Sequence, residues 1–340
     1  MTAIQWTEQT WNPTTGCDRI SDGCDNCYAM TMAKRLKGMG SAKYQTDGDP
    51  RTSGPGFALT THPDTLTEPL RWKKPRKVFV NSMSDLFHAR VPRDFLAQVF
   101  AVMAATPQHT YQILTKRPER AARILGGGCK CGHPNGEHFR ASMEWAATSH
   151  SPTYVPGLEH GIYHRTNWPL PNVWIGTSVE NQKYADLRIP ALLKTPAAVR
   201  FLSCEPMIGP LNLGKALRSD LYRCSCGAWE RDGDQHPRCA DCGRSWSWKP
   251  GSSAIDWVII GGESGPGARP FNPQWAADLI EDSRRAGAAP FVKQLGSVWA
   301  RNWTVNGKTV AAHGDTKGGD PQYWPAHLRV REYPAEQQVA

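Results

Sequence analysis

Cys17, Cys24 and Cys27 form a C-x6-C-x2-C set in a short loop that leads into a helix-forming stretch, Ala29 to Lys37. Thiolates are soft ligands, and three in one loop can converge on zinc or on an iron–sulfur cluster. A structural zinc site is closed by four protein ligands, and no fourth Cys or His lies near these three in the sequence. Three ligands leave one position open, which a catalytic centre requires. The expected group is a metal centre, an iron–sulfur cluster first, with a different cluster or metal function and a reduced, merely structural loop as the alternatives.

Two further sets of ligand-type residues follow. Cys224, Cys226, Cys239 and Cys242, with turn-forming Gly227 and Gly243, have the spacing of a zinc ribbon holding Zn2+, the alternative being a second iron–sulfur cluster. Such a ribbon staples a loop that has little core of its own. Its neighbours Arg223, Trp229, Arg231, Arg238, Arg244, Trp246 and Trp248 also suit phosphate contact and base stacking. Cys129, Cys131, His133 and His138 form a more compact set that suits zinc, or else are spare loop residues.

The elements that must position these groups read as a βα succession. Strands are predicted at Lys77–Asn81, Thr110–Leu114, Val173–Gly176, Val199–Leu202, Trp257–Ile260 and Pro290–Lys293, with one more before the first cysteine. Helices are predicted at Arg93–Ala105, at Tyr184–Lys194 with a break at Pro190, and at Pro273–Ala286. Polar residues gather just past the strand ends, where a (β/α) barrel carries its catalytic rim. The expected fold is α/β, a partial or complete TIM-like barrel over residues 1–296. Two Cys-rich, zinc-binding insertions interrupt it, at 126–169 and 217–253, and a C-terminal extension, 297–340, reads in its last 35 or so residues as a poorly fixed tail.

Composition narrows the classes. With 39% hydrophobic and 21% charged residues the chain is not of a disordered type. No apolar run approaches the roughly 20 residues of a membrane span, and the first residues lack a secretory pattern, so the expected location is cytoplasmic. There the ten cysteines stay reduced, as metal ligands require. A formal charge of +9 favours a polyanionic partner, a nucleotide or nucleic acid.

The loop position, the three-cysteine count and the following βα succession resemble the radical S-adenosylmethionine (radical SAM) enzymes. More closely, the chain resembles a phage and prophage family marked by a three-cysteine motif. The residues that carry this are Trp11-Asn12-Pro13, Gly16-Cys17, Cys24-x-x-Cys27-Tyr28-Ala29, the run Asn81 to His88, Leu114-Thr115-Lys116-Arg117-Pro118, Gly176 to Glu180, Ser203-Cys204-Glu205-Pro206 and Gly261 to Gly265. The first cysteine gap is three residues longer than the common C-x3-C-x2-C, and Gly261-Gly262-Glu263 stands late in the chain rather than after the second strand.

The resemblance implies a [4Fe–4S] cluster on Cys17, Cys24 and Cys27, with S-adenosyl-L-methionine chelated at the open iron and cleaved to a 5′-deoxyadenosyl radical. It also implies a separately encoded partner protein and a role in phage DNA modification or repair. Ser82, Ser84 and Asp85 lie where such enzymes hold the methionine amino group. Lys116 and Arg117 suit a phosphate or the cofactor carboxylate, or form a solvated turn before Pro118; Ser178, Asn181 and Lys293 complete the candidate cofactor-binding set at the mouth. Glu180, Glu205 and Glu263 are candidate acid–base groups or cofactor clamps, and Cys204 is a candidate hydrogen-atom donor or else a small buried hydrophobe. Two other classes compete: a non-catalytic zinc protein that binds nucleic acid, and a hydrolase or transferase using the rim carboxylates with a zinc-activated water.

Overall fold

Short runs of Val, Ile and aromatic residues form seven parallel strands whose order in the sheet follows their order in the chain. They are β1 (Gln9–Trp11), β2 (Lys77–Val80), β3 (Thr110–Thr115), β4 (Val173–Ser178), β5 (Val199–Cys204), β6 (Trp257–Gly261) and β7 (Ala289–Gln294). The computed structural model describes residues 4–127, 136–217, 221–223, 229–231 and 254–334. Each neighbouring pair is parallel, so every connection must cross over. The result is a curled half-barrel, an incomplete TIM-like sheet. All six strands predicted by range are present, and β1 precedes the cysteine loop as expected.

Of the helices, α1 (Tyr28–Gly38) packs apart on Tyr44, Phe57 and Met83, while α2 (Arg93–Ala105), α3 (Pro118–Leu125), α4 (Glu137–Ala146), α5 (Gln182–Leu193) and α6 (Pro273–Ala286) cover the outer face. Among the described residues no helix is long and apolar enough to cross a membrane. The break expected at Pro190 does not occur. Pro190 lies on the exposed face of α5, while Tyr184, Ala185, Ile189 and Leu192 are buried and hold the helix against the sheet on both sides of it.

Within the stretch 126–169, α4 packs on α2, with Phe139 and Met143 buried and the Phe139 ring edge-on to Phe100 at 5.3 Å. The expectation of a poorly fixed tail needs correction, since residues up to 334 are not loosely held. Val292 N–H donates to Val330 O (2.8 Å) and Glu332 N–H to Pro290 O (2.9 Å), so the C-terminal segment covers the free edge of β7. Tyr333 then stacks on Trp257, centroids 5.3 Å apart.

Alternation along the strands divides the core in two. Val78, Val80, Ile113, Ile175, Leu202, Val258, Ile260 and Val292 face the helices. Phe79, Trp174, Phe201, Trp257, Ile259 and Phe291 face inward, where with Trp6 they fill the lower half-barrel with an aromatic floor. Trp257 is its hub, within 6.0 Å, centroid to centroid, of Trp6, Trp174, Phe201 and Phe291. With the floor plugged, the upper, C-terminal end of the half-barrel is the open one.

Candidate functional site

The cysteine loop lies across that open end. Gly16 launches it with φ +81°, and a Cβ there would stand 2.0 Å from Ala58 O, so the residue before Cys17 has to be glycine. A short turn, Asp22–Cys24, follows, and Cys27 takes the N-cap position of α1. Cys17 and Cys27 pack beside Ala29, Ala33, Phe57 and Met83.

Struts from successive strand ends hold the loop. After β2, the Asp85 carboxylate accepts from Thr115 Oγ1 (2.7 Å), Phe87 N–H (3.0 Å) and Lys116 N–H (3.0 Å) and pairs with Arg117 Nη1 at 2.8 Å. The same Nη1 lies 3.5 Å from Cys17 Sγ, and Arg117 Nη2 donates to Asp18 O at 3.1 Å. After β4, buried Glu180 is bound by Ser21 Oγ (2.7 Å), Arg188 Nη1 (2.8 Å) and Lys116 Nζ (3.2 Å). A Cβ on Gly23 would stand 2.3 Å from Glu180 Cγ, so the loop crosses this carboxylate at the one position without a side chain. After β6, Glu263 takes a two-pronged bond from Arg269 (2.7 and 2.9 Å) and one from Asn26 Nδ2 (3.1 Å).

The remaining sequence candidates fall around these struts. Ser82 N–H and Oγ donate to Asn12 Oδ1 (2.9 and 3.2 Å), and Ser82 O accepts from Tyr28 Oη at 2.5 Å. Ser84 Oγ donates to Gly16 O at 2.5 Å, and Asn181 caps α5 while its Nδ2 approaches Asp22 Oδ2 at 3.4 Å. Ser178 is buried at the end of β4, its carbonyl accepting from Arg188. Glu205 and Lys293 form a separate pair, 3.0 Å apart, with Ser203 Oγ 3.2 Å from the same carboxylate. Among the described residues this charged pair at the strand ends makes no bond to the cysteine loop.

This geometry bears on three sets of candidates for which alternatives stood open. Glu180 and Glu263 are struts, their oxygens committed to loop-holding donors. Lys116 and Arg117 are not a solvated turn, because each ion-pairs with a partner that is mostly buried. Cys204 lies outside the mouth: it is fully buried in the helix-facing core, where burial pushes its thiol well up. That is the small buried hydrophobe given as the other reading of Cys204. Of the compact Cys/His set, His138 lies on α4, while Cys129, Cys131 and His133 are outside the described residues, as are Cys224, Cys226, Cys239 and Cys242.

The electrostatics separate thiols from carboxylates. Burial, then the nearby Asp85 charge, pushes the Cys17 thiol up to about 12 against the opposing Arg117 cation, and Cys24 adds to the rise. Burial also raises Cys27, opposed by the Met30 and Ala29 N–H groups at the start of α1, and Cys24 again adds to it. Cys24 therefore acts on both of the others. For Glu180 burial acts upward, but the Lys116 and Arg188 cations outweigh it and hold the carboxyl below its usual range. Asp18 is likewise lowered: burial opposes, and donors from Ser53, Thr52 and His88 prevail. Thiols that resist ionising alone ionise when a metal cation binds the sulfur, their protons passing to solvent.

Among the described residues no group of three or more His, Cys, Asp or Glu side chains is arranged to hold a metal ion. What the structure offers a soft metal centre is a donor set of one chemistry in one loop: three thiols, with Cys24 acting on each of the other two and the Arg117 cation beside Cys17.

Sequence reasoning did not single out Ser21, Gly23, Asn26, Arg188 or Arg269, and it marked Asn12 only within the Trp11-Asn12-Pro13 resemblance. Ser21, Gly23 and Asn26 lie inside the cysteine motif, so their position was itself a signal. Arg188 sits on a helix face and Arg269 lies 243 residues beyond Asn26, with nothing local to mark either.

Fold and site together define a parallel α/β half-barrel with a cysteine loop strapped over its mouth. The chain belongs to the family described as "Protein of unknown function (DUF5131)", whose model matches residues 1–323. No curated protein and no solved structure matches it.

Proposed function

We propose that this chain is an iron–sulfur enzyme of the radical SAM type acting on a nucleotide or nucleic-acid base. The observation that carries the reading is the investment in one loop: His88 after β2, Arg117 after β3, Glu180 after β4 and Glu263 after β6 all bind the segment that bears Cys17, Cys24 and Cys27. Buried ion pairs are a costly way to hold a loop, and their use here suits a group that must be fixed at the end of a barrel.

In this reading Cys17, Cys24 and Cys27 would hold a [4Fe–4S] cluster, which together with S-adenosylmethionine would supply the electron for reductive cleavage of the sulfonium. The chain's own work is positioning. Arg117 and Asp85 fix Cys17, Glu180 and Ser21 fix the centre of the loop, and Asn26 with Glu263 fixes its end. Glu205 and Lys293, not tied to the loop, supply opposite charges at the mouth for the ends of a zwitterionic cofactor or an anionic substrate.

The substrate class rests on the +9 charge and on the outward face of α1. There Lys34 and Arg35 are exposed in a helix without carboxylates, and Tyr28 exposes an aromatic ring beside the loop, a combination that suits phosphates and bases. The antiparallel pair Leu221–Arg223 and Trp229–Arg231 brackets Cys224 and Cys226 in the chain, which supports a zinc-stapled ribbon as an accessory element.

The test is anaerobic quantitation of iron, sulfide and zinc in the wild type beside a variant with all three loop cysteines changed to alanine. Each sample is then treated with dithionite and S-adenosylmethionine. The expected wild type is brown, carries iron and sulfide, and yields 5′-deoxyadenosine, and the variant loses all of these while keeping any zinc. A folded wild type that takes up zinc alone and leaves S-adenosylmethionine intact overturns the proposal in favour of a zinc-containing binding protein.

A further inference from the structure

Arg117 touches the cysteine loop differently from the other struts: its guanidinium reaches a sulfur. Nη1 is shared between Asp85 Oδ2 (2.8 Å) and Cys17 Sγ (3.5 Å), and Nη2 donates to the carbonyl of the next loop residue, Asp18 (3.1 Å). The group cannot swing away easily. Asp85 is locked by three other donors, and the backbone N–H of Arg117 donates to Thr115 Oγ1 at 2.9 Å. Arg117 and Asp85 side chains are only 14% and 8% exposed, so solvent screens the charge poorly. By contrast, the side chain close to Cys24 Sγ is a neutral hydroxyl, Ser21 Oγ, at 3.7 Å.

Resting on the iron–sulfur reading above, we propose that Arg117 and Asp85 form a charge pair that sets the reduction potential of the group held by Cys17. Arg117 is a positioning residue here, acting through the cysteine. Reduction adds an electron to the cluster. A cation bonded to a ligating sulfur favours the reduced form, and an anion behind it opposes this. The planar fork also explains why lysine would be a poor substitute: a single ammonium cannot serve carboxylate, sulfur and carbonyl together. The two partners therefore pull the potential in opposite directions, a signature that a simple loop brace lacks.

The experiment is a redox titration, followed by electron paramagnetic resonance, of the anaerobically reconstituted full chain without S-adenosylmethionine. Wild type is compared with Arg117→Gln, Arg117→Lys and Asp85→Asn after iron and sulfide are counted in each. Arg117→Gln is expected to lower the ratio of reduced to oxidised cluster at a fixed ambient potential by at least ten-fold, about 59 mV for a one-electron couple. Asp85→Asn should raise that ratio, and Arg117→Lys should fall between wild type and Arg117→Gln. Unchanged ratios at full iron content, shifts of the same sign in Arg117→Gln and Asp85→Asn, or loss of the cluster in both would each overturn the inference. A wild type that takes up no iron and sulfide fails at the earlier reading instead.

Discussion

The floor and the mouth of the half-barrel are built from the same strands by opposite means. The floor is apolar and aromatic, with Trp257 fully buried among Trp6, Trp174, Phe201 and Phe291. A few residues higher on the same strands, the mouth is held by ionised pairs: Asp85 with Arg117, Glu180 with Lys116 and Arg188, Glu263 with Arg269. Apolar packing is non-directional and supplies stability. Buried ion pairs supply little net stability but fix geometry, since each carboxylate accepts only from donors in the right places. The floor thus keeps the sheet curled, and the mouth decides where the loop sits.

The largest expected effect breaks the floor. Trp257→Ala should cost about 3–5 kcal/mol, the usual range for a large buried aromatic, read as a lower midpoint in urea. Trp257 Nε1 also donates to Glu332 O at 2.9 Å, so C-terminal residues up to 334 should become sensitive to protease in the same variant. A midpoint within about 1 kcal/mol of wild type would mean that the aromatic cluster does not carry the fold.

Next is the mouth. Glu180→Gln leaves Lys116 and Arg188 without their anion, for an expected cost of about 3 kcal/mol, within the range for breaking buried pairs. Its distinguishing feature is a second effect, since Ser21 loses its charged acceptor. Gly23→Ala, which forces a Cβ against Glu180, should release the same loop with the carboxylate still in place. Hydrogen exchange across residues 17–27 should rise in both variants and stay unchanged in Trp257→Ala variants that remain folded. Equal exchange in all three would erase the proposed division between floor and mouth.

Acid sharpens the contrast further. Glu180, Glu263 and Asp18 are all held below the ordinary carboxylate range in the folded chain. Carboxylates lowered in this way contribute stability that is present above the unfolded value, near about 4, and is lost as pH falls through the folded values. Unfolding free energy should therefore decline gently from neutrality, because burial holds His62, His88 and His109 below the usual imidazole range and the unfolded chain takes up protons there first, and fall more steeply below about pH 4, with a shallower acid fall in Glu180→Gln. Equal acid slopes for wild type and variant would remove Glu180 from the account.

The same contrast explains what the sequence disclosed. Floor and outer helices follow periodicities of two and 3.6 residues, so the strands and the helices Arg93–Ala105 and Pro273–Ala286 could be read directly. The residue types of the mouth were equally visible, but their partners were not. Glu180 reads as an available acid until Ser21, 159 positions earlier, is seen to donate to it. Cys204 reads as a rim residue until strand alternation is set against the helix-facing core. The C-terminal segment has mixed polarity, yet its backbone bonds to the β7 edge depend on no side-chain pattern.

The smallest effect probes the least buried strut. Asn26 Nδ2 donates to both Glu263 Oε2 (3.1 Å) and Gly267 O (3.0 Å), tying the end of the cysteine loop to the turn after β6. Asn26 is exposed, and Glu263 keeps its two-pronged bond to Arg269 without it, so Asn26→Ala should cost only about 0.5–1.5 kcal/mol. The energetic change is minor, but its location is informative. Exchange should increase at residues 24–27 and at 263–267 together, because one side chain joins them. An increase confined to the first segment would show that Arg269 alone holds the second, leaving the loop fastened at the β2–β4 ends rather than across the whole mouth.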